Sequence, residues 1–369
     1  MANRSAPRVV VGLSGGVDSS VAALLLRREG WDVQGLYMSN WDEEDAYCSA
    51  AADFQDARAV CQELGIPLHR VSFAQPYRDR VFEYFLREQR AGRTPNPDVL
   101  CNREIKFGVC LQYAHRLGGE WFATGHYARL TGESARDLRL LKAVDSAKDQ
   151  SYFLHAVTTQ QFARVRFPIG ELDKAQVRDL ARAGGLPIFD KPDSTGICFI
   201  GERPFREFLA QWLPTRPGPI ETPDGEIVGE HVGLPFYTLG QRSGLAVGGR
   251  HGHTQEPWYV AAKDAVRNVL VVVQGHDHPA LQSSALDADN LAWLIDPPSR
   301  ELRCVVKVRY RQPDQDALVT LLADGRVHVA FAQLQRAVTP GQFVVFYSGE
   351  QCLGGGVIAR SYAADLQPI

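Results

Sequence analysis

The chain has 369 residues, 45% of them hydrophobic, and its 40 lysines and arginines nearly balance 43 aspartates and glutamates. That length supports two or three domains, and a net charge of −3 excludes a wholly basic nucleic-acid coat while permitting a local basic face. Seven cysteines, an odd number without a C-x-x-C pair, argue against a disulfide framework or zinc ribbon and suit a reducing, cytoplasmic setting. The N-terminus, MANRSAPRVV, shows no signal or transit pattern. No stretch approaches the ~18 apolar residues of a membrane span, so no membrane association is expected.

The first predicted element is a buried strand, Val9–Val11, followed by a glycine turn, Gly12–Gly16, and an apolar helix over Ser19–Arg28. Strand, glycine turn and helix N-terminus together make an anion site, because the unpaired first-turn N–H groups and the helix dipole face the turn. Ser14 and Ser19 add hydroxyls, and Gly15 and Gly16 allow close backbone approach to a phosphate. A Walker loop is excluded, since no lysine lies between Arg8 and Arg27, and Gly12, Gly15 and Gly16 miss the G-x-G-x-x-G spacing. The string SGGVDS, Ser14–Ser19, resembles instead the pyrophosphate loop of the N-type ATP pyrophosphatases. That resemblance implies cleavage of ATP between the α- and β-phosphates and adenylation of a substrate oxygen.

Strand and helix then alternate: a strand at Val33–Met38, a loop with Asp42, Glu43, Glu44 and Asp45, and a helix over Asp53–Leu64. Ala57, Val60, Cys61 and Leu64 share one face of that helix. A strand at Leu68–Phe73, a helix over Arg78–Arg90 burying Val81, Phe82 and Phe85, and a short strand at Trp121–Thr124 follow. Such alternation predicts a parallel sheet whose ligands sit at the strands' carboxyl ends, where Ser14–Ser19, Met38 and Gly125 fall. Near residue 203 the character changes. After a helical stretch, Pro204–Leu213, come a linker, LPTRPGPI, and then short strands with D-G turns at Asp224-Gly225 and Asp324-Gly325. The expected division is an α/β parallel-sheet domain over 1–202, a central, mainly β domain over 203–281, and a small β-barrel over 282–369.

Two cysteines sit where chemistry is plausible. In TPNPDVLCNREIKFG, Pro95 and Pro97 stiffen the chain and hold Asn96 extended. A helix with Phe107, Cys110, Leu111 and Ala114 on its apolar stripe follows, placing Cys101 at or just before an N-terminus that favours a thiolate. Arg103 and Lys106 add positive charge, and Asp98 stands three residues earlier within reach of a substrate proton. Cys198, in DSTGICFIGE, is flanked by Gly196 and Gly201, a context that reads as a mobile segment or as a core strand. Cys61, Cys110, Cys304 and Cys352 read as structural, and Cys48 has no evident activator.

In order, SGGVDS, NPDVLCNREIKF, GHYAR, KDQSYFL, DSTGICFIGE, YTLGQR and CLGGGVI resemble the bacterial tRNA-specific 2-thiouridylases over Val9–Arg360. The resemblance implies an adenine nucleotide α-hydrolase-like catalytic domain, with Gly12, Leu13, Ser14, Gly15, Gly16, Val17, Asp18, Ser19, Met38 and Gly125 binding ATP. It implies Asn96, Pro97 and Asp98 at the target base, with Asp98 as acid and base. By the same pattern Cys198 carries a persulfide from a sulfur-donor protein (a cysteine desulfurase or relay protein). Cys101 is the nucleophile, closing a transient disulfide with Cys198. His126, Lys148, Asp149, Gln150, Arg309, Tyr310 and Gln342 match tRNA contacts, in a barrel that binds tRNA. The substrate implied is the anticodon wobble uridine of the Lys, Glu and Gln tRNAs. Mg²⁺ is expected to bridge the ATP phosphates, with no ligands assigned.

The tRNA face also has an independent signal. Over Arg303–Arg311, Arg303, Lys307, Arg309 and Arg311 share one parity and Cys304, Val306, Val308 and Tyr310 the other, as a strand with a cationic face requires. Tyr310 falls on the apolar row and reaches RNA only at a bulge or an edge. Ser39, Pro192 and Pro219 stand where the family pattern has basic residues. Those departures weaken the case for flanking RNA or phosphate contacts and leave the catalytic set intact. A small-molecule ligase with the same ATP chemistry has no use for Cys101 and Cys198, and a non-catalytic RNA-binding or sulfur-carrier protein has none for the intact loop.

Overall fold

The computed structural model describes residues 6–41, 50–193, 205–247 and 256–363. Arg8–Leu13 is the middle strand of a five-stranded sheet, and Val9, Val10 and Val11 are fully buried. A strand apolar on both faces needs cover on both sides, which parallel sheets with crossover helices supply. The order is Leu68–Ser72, Asp32–Ser39, Arg8–Leu13, Trp121–Thr124 and Val165–Arg166, every neighbour parallel. One face packs on Ala23, Leu26, Ala57 and Cys61, from the helices Val17–Arg28 and Ala50–Leu64. The chain proceeds to one side of the middle strand first and to the other later. That reversal opens a crevice at the carboxyl ends, beside Leu13 and Thr124.

Two long helical runs cover the other face. The first spans residues 74–90, begins four residues before the predicted Arg78, and widens into i to i+5 turns over Arg78–Phe82. The second spans 97–116 and is widened over Cys101–Cys110. Val81, Phe82, Phe85, Phe107, Cys110 and Ala114 are buried in one apolar cluster, as their spacing predicts.

The remaining chain is largely β. A four-stranded sheet runs Trp258–Asp264, Val269–Gln274, Gly218–Glu221 and Ile227–His231, and the Asp224-Gly225 turn closes its last hairpin with Gly225 at φ +88. Six antiparallel strands then close a barrel in the order Gln282–Trp293, Val327–Arg336, Gln315–Leu321, Glu301–Lys307, Phe343–Ser348 and Gln351–Tyr362. The second D-G pair turns between Gln315–Leu321 and Val327–Arg336, with Gly325 at φ +81. One feature departs from expectation. A hairpin from the first region, Ala128–Thr131 and Arg139–Lys142, extends this sheet by pairing with Gln351 and Cys352. Lys142 Nζ fixes the joint by bonding Asp314 at 2.6 Å and lying 4.5 Å above the Tyr347 ring. The strand predicted to reach Arg311 stops at Lys307, and the chain turns there with Arg311 at φ +64.

The same joint buries His155, just after the short helix Ser151–Leu154, with its ring 5.1 Å from that of Phe343. Only a glycine fits beneath it, since a Cβ at Gly355 would stand 2.6 Å from the imidazole. Burial first, and the charge of Arg103 second, lower the His155 pKa to about 4, against the opposing hydrogen bond to the Tyr152 carbonyl. The folded protein therefore holds His155 neutral, whereas the unfolded chain takes up its proton near pH 6.5. Its contribution is complete above about pH 6.5 and lost as pH falls towards 4, a change of about 3 kcal/mol. Denaturant unfolding of the native protein should show this acid loss, and His155→Gln should flatten it by about that amount.

Candidate active site

The loop at Ser14–Ser19 lies where the middle strand delivers the chain into the first helix. Leu13 and Val17 are buried, so they offer the crevice only backbone, whereas Ser14 is exposed. Gly15 has φ +77, and a Cβ there would lie 2.2 Å from the Asp53 carbonyl oxygen. Gly125 is just as confined, because a Cβ would lie 2.5 Å from the Ser19 nitrogen. Gly16 caps the helix with extended backbone and no side-chain hydrogen bond, leaving first-turn N–H groups to an anion. Ser14 N–H donates to Ser19 Oγ at 3.2 Å, and Ser19 Oγ donates to the Gly16 carbonyl at 3.2 Å, which holds the turn open. Met38 is half-buried, one step beyond the Leu13–Tyr37 pair on the neighbouring strand. Loop, Met38 and Gly125 thus share one end of the sheet, and the cradle fits a phosphate chain.

Around it stands an ionic cluster that local sequence patterns did not single out. Lys174 Nζ bonds Asp18 at 2.7 Å and Asp193 at 2.6 Å, and Lys148 Nζ bonds the other Asp193 oxygen at 2.7 Å. Lys191 Nζ joins Asp53 at 2.7 Å, Asp56 at 2.5 Å and the Gly15 carbonyl at 3.1 Å. Tyr127 O–H donates to Asp18 at 2.9 Å, and burial together with that carboxylate pushes the phenol far above its ordinary pKa. Burial opposes the Asp193 charge, but hydrogen bonds from Lys148 and Lys174 outweigh it and hold the carboxyl below its usual range. Lys174 lies 156 positions from Asp18 and Lys191 138 from Asp53. No local window of sequence shows such pairs.

The second half of the site opens with Asn96. It caps the 97–116 helix, its Oδ1 accepting from Asp98 N–H at 3.1 Å, with Pro97 at the first helical position. Cys101 is fully buried inside that helix rather than at its start, a correction to the sequence expectation. The Asn-Pro-Asp cap starts the helix four residues earlier, so most of the end charge falls on Asp98. Asn40, just after the strand Asp32–Ser39, points its Nδ2 at Cys101 Sγ from 3.9 Å, tying the cysteine to the same sheet end. Arg103, expected to support a thiolate, is paired with Glu104 at 2.8 Å. Cys61, Cys110, Cys304 and Cys352 are pushed up to about 12 by burial and stay thiols. Cys198, Cys48, Pro204 and the acids Asp42 to Asp45 lie outside the described residues.

The residues matched to tRNA contacts fall in different places. His126 is buried, bonded to Thr124 at 2.8 Å, and burial and Lys106 keep it neutral. Asp149 is buried and accepts from Ala143 N–H, Ser151 N–H and Ser151 O–H, while Gln150 Oε1 accepts from Tyr127 N–H at 2.9 Å. Arg309 points inward, donating to the Leu239 and Ala337 carbonyls at 3.0 and 2.8 Å. Tyr310 packs on Phe153, ring centres 4.5 Å apart. Gln342 Nε2 donates to the Thr94 carbonyl at 2.6 Å. Of the departures, Ser39 bonds the Trp41 carbonyl, Pro192 separates Lys191 from Asp193, and Pro219 lies in a strand of the middle sheet.

A parallel sheet with a pyrophosphate loop at its switch point, joined to two β units, defines an enzyme of the PP-loop superfamily. Residues 7–202 match the family described as tRNA methyl transferase HUP domain. Residues 206–274 match its PRC-barrel domain, and 283–358 the aminomethyltransferase beta-barrel domain. The chain is 57% identical over 364 residues to the tRNA-specific 2-thiouridylase MnmA of Methylococcus capsulatus, covering 97% of this chain and 98% of that one. It is 55% identical over 362 residues to MnmA of Escherichia coli (strain HS), covering 97% and 98%. The chain belongs to the tRNA-specific 2-thiouridylase family and is a tRNA sulfurtransferase. No helix among the described residues is long and apolar enough to cross a membrane.

Gly15→Ala should disable the loop, because φ +77 and the 2.2 Å approach to the Asp53 carbonyl both forbid a Cβ. ATP binding should weaken at least tenfold, with Gly65→Ala as a control for φ strain, since φ there is +62 and the space is open.

Proposed function

We propose that this enzyme converts the wobble uridine of tRNA to 2-thiouridine, using ATP to adenylate the C2 oxygen and a cysteine persulfide as the sulfur source. The observation that carries the reading is convergence. The loop Ser14–Ser19 and the Asn96–Cys101 segment, 77 residues apart at their nearest ends, meet at one end of one sheet through Asn40. We take 1–202 as the catalytic unit, 203–281 as a central unit and 282–369 as the tRNA-binding barrel.

The chemistry follows from the groups present. A uridine C2 oxygen leaves poorly, so it attacks the α-phosphorus of ATP, pyrophosphate departs, and an adenylated oxygen results. The loop N–H groups and the hydroxyls of Ser14 and Ser19 hold the departing phosphates. Lys148, Lys174 and Lys191 lie close by on carboxylates that phosphate oxygens could replace, and Mg²⁺ would supply neutralisation of the phosphate charge there. The terminal sulfur of the Cys198 persulfide then attacks C2 and AMP leaves. Cys101, deprotonated with help from Asp98, attacks Cys198 Sγ, which frees the 2-thiouridine sulfur and leaves a Cys101–Cys198 disulfide. An external dithiol reduces that disulfide, and a sulfur-donor protein restores the persulfide.

The test incubates enzyme, ATP, a persulfide donor and mixed tRNA and looks for 2-thiouridine in the nuclease digest. Wild type should give 2-thiouridine with matching AMP and pyrophosphate. Cys198→Ser should give no thiolated nucleoside while binding tRNA and releasing pyrophosphate as before. Thiolated product from that variant sinks the persulfide role. Full-rate AMP release by a Cys101→Ala/Cys198→Ala double variant without tRNA points to a small-molecule ligase.

A further inference from the structure

The peptide that leads into the Asn96–Asp98 turn is held from outside its own domain. Thr94 N–H donates to the Pro340 carbonyl at 2.9 Å, and Gln342 Nε2 donates to the Thr94 carbonyl at 2.6 Å, so one residue is gripped on both backbone groups by one barrel turn. Between these two grips stands Gly341, with φ +91, where a Cβ would come 2.9 Å from Thr94 N and 3.0 Å from Arg93 Cβ. The barrel backbone is therefore pressed against the peptide without an intervening side chain. From the middle sheet, Lys263 Nζ reaches the Gly92 carbonyl at 3.4 Å and Thr94 Oγ1 at 3.5 Å. Arg93 is turned aside onto Glu88 by a two-pronged ion pair at 2.5 and 2.8 Å. Two residues after Thr94 comes Asn96, whose side chain starts the helix that carries Asp98 and Cys101.

We infer that Gln342 is a positioning residue. It sets the Asn96–Asp98 turn and Cys101 through the Thr94 carbonyl, so that the barrel determines where the base-reacting groups stand. The inference rests on the reading of that turn as the base-reacting part of the site, and it adds a positioning role to the RNA contact that the resemblance implies for Gln342. A donor at 2.6 Å from a carbonyl has that hydrogen committed within the protein. Replacing it by an apolar group leaves the carbonyl without its donor and frees the peptide to shift. A shift of about 1 Å in a catalytic group costs on the order of a hundredfold in rate with little change in binding.

The experiment measures tRNA Kd and kcat for 2-thiouridine formation at saturating tRNA for wild type, Gln342→Met and Gly341→Ala. Methionine keeps the length and removes the donor. Alanine at 341 pushes on Thr94 sterically and changes no polar group. Both should lower kcat at least tenfold, and Gly341→Ala should leave Kd within threefold, with circular dichroism confirming the fold. A Kd raised more than threefold in Gly341→Ala, or an unchanged kcat in either variant, overturns the inference. If Gln342→Met does not fold, Gly341→Ala decides by the same two thresholds. Wild type that makes no 2-thiouridine counts against the functional reading instead, which separates the two failures.

Discussion

Backbone packed directly on backbone around the Ser14–Gly16 turn is the constraint on which the rest of the site depends. Two separate segments lean on this turn where a side chain would be. The Asp53 carbonyl occupies the Cβ position of Gly15, and the Ser19 nitrogen crowds that of Gly125. The first contact sets the helix Ala50–Leu64 against the loop. The second sets the end of Trp121–Thr124 against the first turn of Val17–Arg28. Because such contacts tolerate no added atom, the crevice geometry comes from main chain, which is pre-ordered and loses nothing to rotamer freedom. Lys191 reinforces the first contact by reaching both the Gly15 carbonyl and the acids of the same helix.

The electrostatics follow from that packing. Lys148, Lys174, Arg178 and Lys191, four cations, face Asp18, Asp53, Asp56 and Asp193, four carboxylates, beside a loop built for anions. Balanced in this way, the crevice keeps lysines close to the phosphate cradle without leaving like charges facing one another. Asp193 is held by Lys148 and Lys174 together, and Lys174 also holds Asp18. A negative group entering the cradle therefore acts through Lys174 on Asp18 and Asp193, and so on the peptide at Asp193 that follows Lys191 and Pro192.

How much of this was legible depends on whether a signal is local. Glycine, serine and helix in sequence show the phosphate turn, and Asn-Pro-Asp shows a helix cap, because each rule operates within one turn of chain. The helix start was nonetheless expected at or just after Cys101, whereas it lies at Pro97. Proline at the first helical position permits the helix to start at once, whereas the reading let the prolines delay it. Wider turns over Cys101–Cys110 leave the apolar stripe intact and so leave no trace in its spacing. The ionic cluster and the hairpin that extends the barrel pair residues more than a hundred positions apart. Alternating parity over Arg303–Arg311 was correct as far as Lys307 and failed where the chain turns at Arg311, since a parity count cannot register a left-handed residue.

That turn alters what the basic run does. Had the strand continued, Arg309 would stand on the same face as Arg303 and Lys307. Instead its guanidinium enters the junction, where it satisfies the Leu239 carbonyl after the middle domain's short helix Leu234–Phe236 and the Ala337 carbonyl of the barrel. Lys307 is drawn towards Asp314, which Lys142 also engages, while Tyr310 lies on Phe153 of the catalytic region. Arg309 and Tyr310 link parts of the chain that share no strand, and Thr94 with Gln342 adds another link at the Asn96–Asp98 turn. A polar group placed between units serves orientation more than adhesion, because its hydrogen bonds are satisfied in only one arrangement of the partners. Three of the residues that resemble RNA contacts, Arg309, Tyr310 and Gln342, thus also tie the barrel to its neighbouring units. An RNA bound across barrel and catalytic sheet would meet the Ser14–Ser19 loop and Cys101 in fixed register.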